Sequence, residues 1–118
     1  KFSVYFNQDY GSGQYRGVYL QGNENARAML SAWMEPFRDF GMTVVSNQSV
    51  GSTDHVPFDD VGLPGIQFLQ ESTPGQGGHS NLDPVDAIQP FDLMKNAVVM
   101  ASFVYHAAMA ETVLPRKR

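Results

Sequence analysis

The sequence predicts an α/β domain, with helices layered on a central sheet. Three observations lead there. Runs rich in β-branched and aromatic residues alternate with helical periods along the 118-residue chain. An apolar stripe at three- and four-residue spacing runs from Ala26 to Phe40. A nearly continuous apolar stretch, Ala97 to Ala110, lies near the end and reads as a helix. The expected architecture is a partial three-layer α/β/α domain, with about four strands of a mixed central sheet and two main helices. All 118 residues are expected to form one unit, within the usual domain size.

Phe2 to Phe6 (FSVYF) suits a strand by its β-branched and aromatic content. Asn7 to Gly17 carries three glycines and reads as a loop. Val18 to Leu20 is a short second strand, ended by Gly22-Asn23. Ala26, Met29, Leu30, Trp33, Met34, Phe37 and Phe40 then form one face of an amphipathic helix. Asn23 is a candidate N-cap for it, with Glu24 in the first turn. Pro36 lacks the N–H a helix interior uses, so a break is expected near Met34–Glu35. Gly41 is a candidate residue for the turn that follows the helix.

Met42 to Val45 reads as a third strand. Asp54 to Gly62 reads as one or two helical turns, with Pro57 near the start. Ile66 to Leu69 is a fourth strand. Glu71 to Ala87 has no periodicity and is rich in glycine and proline. Loops of that length in small domains are usually functional or disordered. The last helix starts near Pro90, a good first-turn residue, with Asp92 behind it. Met94, Ala97, Val98, Ala101, Val104, Tyr105 and Ala108 are expected to form its buried stripe. It is apolar nearly all round, so more than one face is expected to be covered. Four strands and two helices are few for this architecture. Together with a start at Lys1 in mid-strand, they read as an incomplete α/β domain.

Composition excludes several classes. There is no cysteine, hence no disulfide framework, cysteine nucleophile or thiolate-bound metal. The net charge is −4, and three of the eight basic residues are the closing Arg116, Lys117 and Arg118. An acidic body of this kind does not suit nucleic acid. No apolar run approaches the ~20 residues of a membrane span. The glycines do not form GxGxxG, and neither GxSxG nor HExxH is present.

Three histidines remain as candidates for chemistry. His106 falls on the last helix, where a structural role is expected. His79, in GGHSNLD, is either a metal ligand or a solvated loop residue, and Asp83 stands where it could orient the ring. Asp9, directly after the first strand in FNQDYGSG, is either a metal ligand or the cap of a turn. Asp54, next to His55 in GSTDHVPF, either caps the short helix or faces the same cleft as Asp9.

Taken together, FNQDYGSGQYRGVYLQGN, GSTDHVPFDDVGLPGIQFLQ and GGHSNLDPVDAIQPFDLMKNAVVMASFVYHAAM resemble the carboxyl-terminal half of a zinc-dependent exopeptidase catalytic domain. The family is that of bacterial leucyl-aminopeptidases, carboxypeptidase Q, glutaminyl cyclases and the transferrin receptor. The resemblance covers essentially the whole chain. It implies two zinc ions, each polarising the substrate or activating water. It also implies hydrolysis of peptide bonds by metal-bound hydroxide, with a peptide substrate.

By the same resemblance Asp9 and His79 are metal ligands, one for each zinc. Asp83 belongs to the histidine's motif, and Asp54 with His55 form the segment lining the cleft. The remaining three ligands and the general base have no match here. The isolated chain is therefore expected to be inactive and a poor zinc binder. A glutaminyl cyclase, a carboxypeptidase or a non-catalytic interaction module of the same fold are the alternatives. The resemblance also implies a secreted or periplasmic protein with no membrane or nucleic-acid partner. An exposed sheet edge points to a homo-oligomer.

Overall fold

A computed structural model of the chain describes residues 2–9, 13–51, 53–71 and 90–117. Four strands, β1 (Tyr5–Asn7), β2 (Tyr15–Tyr19), β3 (Val44–Ser46) and β4 (Gly65–Gln70), form one sheet in the order β1-β4-β2-β3. The helices are α1 (Arg27–Met34), the short α2 (Val56–Asp60) and α3 (Pro90–Met109). The sheet is mixed: β1 runs parallel to β4 and β2 to β3, while β2 and β4 are antiparallel. The element order matches the sequence reading. The first strand sits later than expected, at Tyr5–Asn7 rather than Phe2–Phe6, and β2 begins already at Tyr15.

The pleat sorts the side chains onto two faces. Phe6, Phe68 and Val18 point to one face, where Phe6 meets Phe68 and Phe103 and where Tyr15 stacks on Phe68 at 4.3 Å. Both long helices cover this face. Trp33 of α1 meets Phe103 of α3 edge-on at 5.9 Å, and its ring stacks on His106. His106 thus has the structural place expected of it. Tyr5 and Asn7 point to the opposite face, where Phe58 of α2 stacks on Tyr5 at 4.4 Å.

The helix after β2 follows its sequence signals closely. A single 3₁₀ turn, Glu24–Ala26, leads into α1, and a second 3₁₀ stretch, Glu35–Phe40, follows it. Pro36 causes the change, because it has no N–H to give the Ala32 carbonyl and its ring crowds that oxygen. Gly41 closes the run at φ 91°, in the left-handed region. Its N–H bonds to the Arg38 carbonyl and the Met42 N–H to Phe37, the paired bonds of a Schellman turn. Asn23 does not act as the expected side-chain cap. Its Nδ2 donates instead to the Pro115 carbonyl at 2.8 Å.

Helix α3 departs most from expectation. Met94, Ala97, Val98, Ala101, Val104, Tyr105 and Ala108 are all exposed. The buried residues are Asn96, Val99 and Phe103. Apolar periodicity could not choose a face on a helix that is apolar all round. A polar anchor chose it: Asn96 Oδ1 accepts the Tyr15 N–H at 2.8 Å, and its Nδ2 donates to the Gly13 carbonyl at 3.0 Å. Both groups lie at the start of β2, so this one amide seats the helix on the sheet.

The closing basic residues are also structural. Arg116 donates to the carbonyls of Phe2 and Ser3, and Lys117 pairs with Asp59 at 2.7 Å. Leu114, buried beside them, donates its N–H to Ser3 Oγ. The tail therefore holds down the residues that precede β1.

Tyr15 supplies a pH test of the core. Burial pushes its phenol well above the ordinary tyrosine range, which lies near ~10. A group whose pKa is raised by folding leaves stability intact below its unfolded pKa and removes it as pH rises toward the folded value. Stability should be flat in this respect up to about pH 10 and decline above it. Tyr15→Phe should lose less stability between about pH 8 and pH 11 than the native chain, measured by urea unfolding. An equal alkaline loss in both proteins would assign the effect to other groups.

Candidate functional site

Strand direction brings three chain segments to one edge. β1 and β4 are parallel, with Asn7 opposite Gln67, so both carboxyl ends face the same way. β2 is antiparallel to β4, with Tyr15 opposite Gln70, so its start lies at that edge too. Glu71 extends the pairing: its carbonyl accepts the Gly13 N–H and its N–H donates to the Gln14 carbonyl. Its carboxylate pairs with Arg16. Carboxyl ends of strands are where open α/β sheets bind ligands.

Asp9 stands at this edge, two residues past β1, and is exposed. Its Oδ2 accepts the Thr53 hydroxyl at 2.6 Å. Its other oxygen has no hydrogen-bond partner among the described residues. An exposed carboxylate held through one oxygen has the donor chemistry of a zinc ligand. Asp54 is exposed as well, at the turn that enters α2. The N-cap of α2 is His55, not Asp54, and no side chain caps it.

His55 is fully buried. Its Nε2–H donates to the Val50 carbonyl at 3.0 Å, and its Nδ1 faces Asn7 Nδ2 at 3.4 Å. A carbonyl only accepts and an amide nitrogen only donates, so these partners select the Nε2–H tautomer. The same Asn7 nitrogen donates to Gln67 Oε1 at 2.8 Å and to Thr53 Oγ1 at 3.0 Å. Gln67, also fully buried, is oriented by its own bond to the Phe68 carbonyl. The 53–55 turn is pressed against β4 at Gly65, where a Cβ would come within 2.6 Å of the His55 carbonyl oxygen. Only glycine allows that approach.

Asp9 and the 53–55 turn are thus brought together through Thr53. His79 and Asp83 lie outside the described residues. Among the described residues, no group of three or more histidine, aspartate or glutamate side chains could hold a metal. Sequence reading singled out Asp9 and Asp54-His55 but missed Asn7, Thr53 and Gln67. A polar residue at the inward position of a strand, as at Asn7 and Gln67, is the signal that could have found two of them.

The layout is that of an α/β enzyme with a polar constellation at the carboxyl edge of its sheet. The model of peptidase family M28 matches residues 1–104. The chain belongs to peptidase family M28, a family of metallopeptidases, which makes it a peptidase-type hydrolase by kinship. No curated protein and no solved structure matches it. No helix among the described residues is long and apolar enough to cross a membrane.

Proposed function

We propose that this chain supplies part of the two-zinc centre of an aminopeptidase-type exopeptidase, secreted or periplasmic, that acts on peptides. Asp9 and His79 are the ligands it contributes, one to each ion. Asp83 orients the histidine, and Asp54 borders the substrate. The other ligands and the general base come from residues outside this sequence. When bound, the zinc pair polarises the peptide carbonyl and makes water a nucleophile near neutral pH.

The observation that carries this reading is the position of Asp9. It stands two residues past a parallel strand, at the edge where β4 also ends, and the chain continues from β4 towards His79. The family match supports the reaction class. A complete polypeptide carrying residues 1–118 should release N-terminal amino acids from peptides only with zinc bound. Asp9→Ala should lower that activity by more than about 100-fold, since even residues that merely orient a ligand cost 10–100-fold. It should also lower the zinc content measured by atomic emission. Full zinc content in the variant would remove Asp9 from the ligand set.

A further inference from the structure

We infer that Thr53 is a positioning residue for Asp9, fixing which carboxylate oxygen is offered to the metal. This rests on the proposal that Asp9 is a ligand.

A threonine hydroxyl has one proton to give. Here it goes to Asp9 Oδ2, at 2.6 Å. Thr53 Oγ1 itself accepts from Asn7 Nδ2 at 3.0 Å, which leaves the proton no competing direction on that side. The relay therefore has one sense, from Asn7 amide to Thr53 hydroxyl to Asp9 carboxylate.

Each member is itself held. The two amide protons of Asn7 face three acceptors, Thr53, Gln67 and His55, and the last of these contacts is the longest. Flipping the Asn7 amide would set its oxygen against the acceptors of all three. His55 is anchored through Val50, whose N–H donates to Gln21 Oε1 at 2.5 Å. Gln21, Asn7, His55 and Gln67 are all buried. Such a network, with its members satisfied, has one low-energy arrangement. It spans four segments of the chain and ends on a single exposed oxygen pair. The inner oxygen of Asp9 is occupied, and the outer one has no hydrogen-bond partner among the described residues. Asp9 is thereby prepared to bind a cation through one oxygen, with the rotation of its carboxylate already restricted.

The experiment uses the complete polypeptide and zinc(II) alone, with affinity read by competition against a chromophoric chelator. Asp9→Ala, Thr53→Val and Thr53→Ser are compared, with thermal unfolding as the check of folding. Thr53→Val keeps the shape and removes the hydroxyl, and should weaken zinc binding by about 10–100-fold. Thr53→Ser should restore binding to within about threefold of native, a rescue that follows from the same hydrogen bond. Cobalt(II) absorption should change in the valine variant and return in the serine variant. If Thr53→Val does not fold, Thr53→Ala takes its place with the same expectations. Native affinity in the hydroxyl-free variant, with binding lost in Asp9→Ala, would overturn the positioning role and leave Asp9 as a ligand. Native affinity in Asp9→Ala would overturn both. Equal weakening in the serine and valine variants would show that the hydroxyl is not what matters, and would also overturn the inference.

Discussion

Replacing Phe103 by alanine is expected to destabilise the chain by about 3–5 kcal/mol, the usual cost of emptying a buried aromatic site. Phe103 is fully buried and touches three rings from three elements. Phe68 lies at 5.3 Å, and Phe6 and Trp33 lie at 5.9 Å, all edge-on or nearly so. Such pairs add about 0.5–1.5 kcal/mol each beyond simple area burial. The neighbours belong to β1, β4 and α1, so the cavity cannot close by moving one element. Domains have only about 5–15 kcal/mol in all, so the loss is a large part of the total. The control is Tyr105→Ala, two residues further on the same helix. Tyr105 is 61% exposed, and its loss should stay within about 0.5 kcal/mol. Urea unfolding of the two variants checks both numbers. A greater loss for Tyr105→Ala would mean that α3 docks by its other face.

Asn96→Ala should cost roughly 1–3 kcal/mol, because it leaves one buried backbone donor without its acceptor. That donor is the Tyr15 N–H; the Gly13 carbonyl keeps the Gln70 side-chain amide at 3.1 Å. The effect should be local as well as global. Hydrogen exchange of the Tyr15 amide should accelerate more than that of β4 amides, since its acceptor is the side chain removed. Unchanged protection of that amide would show that Asn96 does not seat the helix. The same bonds hold the start of β2 at the edge where Asp9 stands. Loosening them should therefore also disturb the candidate site, without touching any residue in it.

Much of the architecture was legible before folding. Pro36 and Gly41 have local effects, a missing donor and a left-handed turn, and each acted where it stood. The stripe from Ala26 to Phe40 was read correctly because only one of its faces was apolar: Leu30, Trp33 and Met34 are buried. The candidate site was legible at Asp9 and at Asp54-His55, because motifs preserve local spacing. Asn7, Thr53 and Gln67 were not, because their meaning lies in partners 46 to 60 residues away.

The sequence by itself determined the class of domain, the order of its elements and the places where its helix breaks, since these follow from dihedral preference, period and missing donors. Tertiary structure alone decided which side of α3 is inside. On a helix apolar all round, hydrophobic burial is nearly equal for every face, and one buried amide bonding to β2 was enough to choose. It also decided what His55 does. Nothing in its neighbours in sequence places that ring in the interior; the parallel pairing of β1 with β4 does, by setting Asn7 beside Gln67 and leaving a polar gap that an imidazole fills.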